Sequence, residues 1–245
     1  LRVEIAPSAV ESGRAAASRT AGLIAEAVAA NGRARVLFAS APSQEAFLAS
    51  LVTLDVPWSM VDAFHVDEYV GLPLDAPQAF GQWLHERLFS RVPLRAHRID
   101  TEGDPQEAAR RYGASVTESP IDVACIGIGV NGHIAFNEPY QWAIADTEPM
   151  RLVELAQRSR QQQVDDGCFA RLSDVPTAAL TLTVPTLLSA RALVVTVPGA
   201  HKAAAVAATI DGDITPAVPA SILRTHERVT LFLDHGSASC LRGSA

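Results

Sequence analysis

The feature that most constrains this chain is a buried apolar run that ends in glycines. Ile121-Asp-Val-Ala-Cys-Ile126 is rich in β-branched and apolar residues and reads as a core strand. It runs into Gly127-Ile-Gly-Val-Asn-Gly-His-Ile-Ala-Phe-Asn-Glu-Pro139, a glycine-rich turn carrying a histidine and a carboxylate. A strand of this kind needs cover on both faces. In open α/β sheets, ligands bind beyond the carboxyl ends of the strands. His133 and Glu138 therefore stand where chemistry is expected.

The rest of the chain supplies the alternation that such a sheet needs. Leu1–Ile5 reads as a short edge strand. Ser8 to Ala30 is alanine-rich and stops at Asn31-Gly32, which predicts a long helix. Strands follow at Arg35–Ala39, Met60–Tyr69, Ala192–Val197 and Arg228–Leu233, with Leu180–Val184 continuing the pattern. Helices are expected at Pro42–Val52, Gln78–Ser90, Pro105–Thr117, Leu187–Arg191, Ala200–Ile210 and Ala217–Arg224. Alternation of this kind predicts a single α/β domain over residues 1–245: a mainly parallel, Rossmann-like sheet with helices on both faces. Residues 140–176 break the rhythm and read as a partly helical excursion beside the site, a lid.

Composition narrows the function classes. The chain has 245 residues, 48% of them hydrophobic, enough for a sizeable core. Its formal net charge is −7 and it has no lysine- or arginine-rich run, which argues against nucleic acid. The 3 cysteines, Cys125, Cys168 and Cys240, are scattered without C-x-x-C, so neither a zinc site nor a disulfide framework is signalled. Reduced thiols fit a cytoplasmic protein. No run approaches the length of a membrane span, and the first residues lack a signal-peptide pattern.

Gly127, Gly129 and Gly132 fit G-x-G-x-x-G, the dinucleotide fingerprint. That fingerprint needs a helix opening at the turn, whereas Pro139 and Pro149 forbid a long one there. A nicotinamide site is therefore not expected.

A second stretch, Ala63-Phe-His-Val-Asp-Glu-Tyr-Val-Gly-Leu-Pro73, lies about sixty residues earlier. Asp67 and Glu68 are neighbours on a predicted strand, so only one of them can line a given site. Read alone, Asp67 stabilises a turn and His133 is a hydrogen-bonded structural histidine. Together, Asp-Glu-Tyr-Val-Gly-Leu-Pro and Gly-His-Ile-Ala-Phe-Asn-Glu-Pro closely resemble the glucosamine-6-phosphate deaminase family. The resemblance continues at Gly199-Ala-His-Lys202-Ala and Pro219-Ala-Ser-Ile-Leu-Arg-Thr-His226, and is weakest at 39–44 and 140–176.

The resemblance implies a deaminase/isomerase that converts glucosamine 6-phosphate to fructose 6-phosphate and ammonia with no metal or organic cofactor. It implies a small-molecule sugar phosphate as ligand, with no nucleic acid and no membrane, and leaves a homo-oligomer open. Asp67 matches the family's general base for the C2 proton, His133 its ring-opening acid/base and Glu138 its supporting glutamate. Asn131 stands where the family typically has aspartate; an amide holds a hydrogen bond but supplies no charge. Phosphate is expected at Ser40, Ala41 and Ser43, where a glycine-free turn meets a helix start. Lys202 matches the family's phosphate lysine, and Arg160, with Arg158 beside it, is the candidate from the lid. Two alternatives differ at the same residues. A 6-phosphogluconolactonase usually has Thr-Ala-Ser-Leu-Phe-Pro after the histidine and Asp-Glu-Arg on the earlier strand. A sugar-phosphate-binding regulator that has lost catalysis would account for Asn131 and the altered turn.

Overall fold

The computed structural model describes residues 1–242. Its main sheet has seven strands: β1 (Arg2–Ala6), β2 (Ala34–Phe38), β3 (Val61–His65), β5 (Arg95–His97), β6 (Val123–Ile126), β9 (Ala192–Val197) and β10 (Val229–Asp234). The spatial order is β1-β10-β9-β6-β2-β3-β5, and every neighbouring pair is parallel. A second sheet of three antiparallel strands, order β4-β8-β7, is built from β4 (Asp67–Tyr69), β7 (Met150–Glu154) and β8 (Ala178–Leu182).

Strand alternation explains why the main sheet is covered on both sides. Val36, Phe38, Val123, Cys125 and Val194 face one core with α1 (Ala9–Asn31) and α2 (Glu45–Leu51). Leu37, Ala124, Ile126, Leu193 and Val195 face the other, with α4 (Pro105–Thr117), α6 (Val184–Leu188) and α7 (Ala203–Asp211). The long first helix begins and ends as its sequence dictates. The Ser8 hydroxyl accepts from the Glu11 N–H at 3.3 Å, and Gly32 takes φ 74° and returns its N–H to Val28.

From β2 the chain winds outward to β3 and β5, then returns to lay β6 against the other side of β2. The order thus reverses between β2 and β6. The two loops that leave their carboxyl ends, Ala39–Gln44 and Gly127–His133, open a crevice at that switch point.

Four local expectations need correction. Met60–Tyr69 is not one strand. It breaks at Val66, and β4 crosses into the small sheet. The break is held by His65: Nδ1 lies 2.9 Å from the Asp67 carbonyl, and Nε2 accepts the Ile99 N–H at 2.8 Å. Burial pushes the His65 pKa down to about 3, so the ring is neutral and Nδ1 is the donor. Second, the 140–176 excursion contains β7 as well as α5 (Gln157–Asp165), because β7 completes the small sheet against β8. Third, the expected helix at Ala217–Arg224 is a tighter 3-10 turn over Pro219–Thr225. Fourth, the Gln78–Ser90 helix comprises α3 (Phe80–Leu84) and a wider turn over His85–Phe89. Composition gave no sign of the short strand β5 or of α8 (His235–Ala238).

Candidate active site

The small sheet brings the two sequence motifs together. In β4 and β8, Asp67 is the register partner of Thr181. Thr181 Oγ1 also accepts the Phe136 N–H at 3.1 Å, from the loop after β6. Asn137 fixes that loop from the other side, with Nδ2 donating to the carbonyls of Ile134 and Leu182 at 3.0 and 2.9 Å. Beneath them Tyr69, Phe80, Phe136 and Phe169 pack ring to ring, with centroids 4.6 to 5.7 Å apart.

A cavity of about 340 Å³ opens over the switch point. Its lining includes Ser40, Ala41, Ser43, Asp67, His133 and Lys202, so six of the residues singled out in the sequence share one space. Glu138 and Asn131 stand behind His133. Arg160 is not in this lining. Its guanidinium donates to the carbonyls of Leu172 and Val175 at 2.7 and 2.8 Å, tying α5 to the segment that follows it. Arg158 lines an adjoining groove.

Asp67 and Glu68 divide as neighbours on a strand must. Glu68 turns away and accepts three backbone N–H groups, from Tyr69, Phe80 and Gly81, at 2.7 to 2.9 Å. Asp67 faces the cavity. Burial raises its pKa well above the usual carboxylate value, and the Glu68 charge adds to the shift. A carboxylate so placed is a stronger base than one in water.

His133 rests on the backbone of its own loop. A Cβ on Gly129 would lie 2.1 Å from the His133 Cε1, so only glycine lets the ring pack there. Gly132 turns the chain with φ 84°. Asn131 Oδ1 lies 2.7 Å from His133 Nδ1 and accepts the His133 backbone N–H at 3.2 Å. Asn131 Nδ2 donates to Glu138 Oε2 at 2.8 Å. These partners settle the amide: its oxygen meets donors, and its nitrogen meets a carboxylate. Nδ1 therefore carries the proton, and Nε2 keeps its lone pair. Burial lowers the His133 pKa; Lys202 adds to this, and Glu138 opposes it. The ring is therefore held neutral, with the Nε2 lone pair able to accept a proton.

Lys202 is 5% exposed, in a 3-10 turn (Ala200–Lys202) that leads into α7 rather than in the first turn of that helix. Its ammonium has no hydrogen-bond or ion-pair partner among the described residues. Burial lowers its pKa, against the attraction of Asp166. An unpaired buried cation beside the Ala39–Gln44 turn is suited to an anion.

Sequence reading missed several residues that shape the cavity. Gln44 is 1% exposed and exchanges hydrogen bonds with Thr196, with its Oε1 accepting the hydroxyl at 3.0 Å. Asp234 accepts the Gly199 N–H and caps α8, fixing the loop that holds Lys202. Gln162, Gln163 and Asp166 line the cavity from α5 and the turn after it. A glutamine or aspartate on an exposed helix gives no sequence signal of this kind. No group of three or more His, Cys, Asp or Glu side chains among the described residues is placed to hold a metal ion.

A carboxylate, a histidine and a buried lysine around one switch-point cavity define an α/β protein whose site is suited to an anionic ligand. The chain belongs to the glucosamine-6-phosphate isomerase/6-phosphogluconolactonase family, whose model matches residues 7–232. It is 36% identical over 187 residues to a glucosamine-6-phosphate deaminase of Exiguobacterium sibiricum, covering 76% of this chain and 72% of that one. A solved monomeric glucosamine-6-phosphate deaminase superposes with a TM-score of 0.91 at 28% identity, covering 98% of this chain and all of the other (100%). A 6-phosphogluconolactonase from Trypanosoma brucei superposes at 0.80 with 18% identity, covering 97% of each chain; that likeness is one of fold.

Proposed function

We propose that this chain is an amino-sugar phosphate deaminase/isomerase, converting glucosamine 6-phosphate and water to fructose 6-phosphate and ammonia. The observation that carries the reading is the cavity shared by Asp67, His133 and Lys202. Lys202 and the Ser40–Ser43 turn receive the phosphate. Neutral His133 takes the O1 proton through Nε2 and returns it to the ring oxygen, which opens the sugar. Asp67 then moves the C2 proton to C1 through an enolamine. The product is an imine at C2, and water releases it as ammonia.

Helix α5 and its flanks act as a lid over this space. Only Ser159 of α5 is buried, yet Gln162 and Gln163 reach the cavity. Every group used in the reaction comes from one chain, so the chemistry calls for no second copy. No helix among the described residues is long and apolar enough to cross a membrane. The free thiols of Cys125, Cys168 and Cys240 support a reducing, cytoplasmic place of action.

The test is direct. Purified protein with glucosamine 6-phosphate is followed for ammonia and fructose 6-phosphate, with 6-phosphogluconolactone in parallel. Stoichiometric formation of both products supports the reading. Lactone hydrolysis without ammonia release would replace it, and binding without turnover would leave a sugar-phosphate-binding regulator.

A further inference from the structure

Among the described residues, helix α5 hydrogen-bonds the groups that hold His133 through one atom. Ser159 is its single buried residue, and its hydroxyl donates to Glu138 Oε1. The other carboxylate oxygen, Oε2, takes the amide of Asn131, which in turn holds His133. Hydroxyl, carboxylate, amide and imidazole thus form one line from the lid to the ring. Glu138 has no route to His133 except this amide and a direct approach of 3.7 Å from Oε1 to Nδ1. Oε1 is the atom that Ser159 occupies.

We propose that Ser159 is a positioning residue that couples the seating of the lid to the protonation of His133. With α5 seated, the hydroxyl draws on the negative charge of Oε1 and holds it in place. The imidazolium then gains less from Glu138, and His133 stays neutral, as a ring-opening base must. With α5 lifted, Oε1 loses its donor and faces Nδ1, while water reaches the ring. Both changes favour the imidazolium. The lid therefore sets the base as well as covering it. The other charged groups near His133 are Lys202, which disfavours its proton, and Asp67, Asp166, His201 and Asp234 around the same cavity. Of these only Asp166 is tied to α5, as the residue that follows it, through the Gln162 carbonyl and side-chain amide; Ser159 bonds none of them, so removing its hydroxyl acts through the Glu138 arm.

This rests on His133 being the ring-opening group, but its test reads the ring itself. The Cε1–H resonance of His133, assigned by its loss in His133→Gln, is titrated by NMR in the wild type, Ser159→Ala, Ser159→Cys and Ser159→Thr. Loss of one hydrogen bond to a carboxylate should raise the His133 pKa in Ser159→Ala by roughly half a unit to one unit. Ser159→Thr keeps the hydroxyl and should titrate like the wild type, and Ser159→Cys, a weaker donor of similar size, should fall between. Gln161→Ala, an exposed change on the same helix, should shift nothing. An unmoved or lowered titration in Ser159→Ala, or an equal shift in Ser159→Thr, overturns the proposal. A shift as stated in a protein that releases no ammonia would count against the deaminase reading and leave the coupling intact.

Discussion

Asn131 Oδ1 lies 2.7 Å from His133 Nδ1, nearer than the closest oxygen of Glu138 at 3.7 Å. The histidine is thus held by an amide, and the carboxylate acts through that amide and, more weakly, across the 3.7 Å gap. Asn131→Asp would put a second carboxylate against Glu138, where the amide nitrogen now donates at 2.8 Å. Two carboxylates in contact share a proton or repel, and either arrangement places more negative charge on Nδ1 than an amide does. The expected outcome is a raised His133 pKa and an acid limb of kcat/KM displaced toward higher pH by about one unit. A pH profile from 5 to 9, paired with the His133 titration, checks this. Coincident profiles for variant and wild type would show that Asn131 serves the loop and not the ring.

On the proposed reading, Asp67 serves catalysis at a cost in stability. Its pKa is raised in the folded state, so the folded protein binds a proton that the unfolded chain gives up. Stability from this group is complete below the unfolded value near 3.8 and is lost as pH rises through the folded pKa. Asp67→Asn removes that loss. The variant should have a higher Tm than the wild type at neutral pH, with the gap closing toward pH 4. Its ammonia release should fall on the order of 100- to 10,000-fold, the effect of losing a positioned base. Thermal melts across pH and one turnover assay suffice; full activity in the variant would reduce Asp67 to a structural residue.

How much of this was legible depended on whether the signal was local. Ser8 and Gly32 bracket α1 through contacts within one turn, so the sequence states them directly. The β2 and β6 runs carry their own alternation. The break at Val66 depends on Ile99 donating to His65, and β7 on a partner in β8; neither partner is near in sequence. At the site, Asp67, His133 and Lys202 announce themselves by residue type within recognisable stretches. Arg160 has the right chemistry, yet two carbonyls already occupy its guanidinium. Gln44, Ser159 and Asp166 are ordinary residues made relevant only by where the fold places them.

Gly129 gives a steric test that leaves every polar group unchanged. A methyl there would lie 2.1 Å from Cε1 and 2.3 Å from both ring nitrogens of His133, far inside van der Waals contact. The ring must leave its position over the loop, and with it the 2.7 Å bond to Asn131. Gly129→Ala should keep the fold by circular dichroism and still bind inorganic phosphate. Its turnover should drop by about 100-fold or more, as for other displaced acid–base groups. Near-normal turnover would mean that the ring position over Gly129 is not the working one.

If phosphate binds at Lys202 as proposed, Asp166 should limit how tightly this cavity holds it. Lys202 is its only lysine, and no arginine lines it. Asp166 stands exposed at the rim, after α5, and its attraction acts on the Lys202 ammonium without a contact-distance ion pair. An incoming phosphate meets the field of both. Asp166→Asn keeps an oxygen to accept from Gln162 Nε2, now bonded at 3.3 Å, and removes only the charge. Inorganic phosphate should then bind roughly two- to tenfold more tightly, the scale of one solvent-screened charge near a ligand. The gain should shrink as salt rises toward a Debye length of about 3 Å at 1 M. Asp165→Asn makes the same change in net charge next door, where the side chain lines only the adjoining groove, and should give less. Titration calorimetry with phosphate in all three proteins decides it: equal affinities, or equal gains in both variants, would show that Asp166 has no particular hold on the anion.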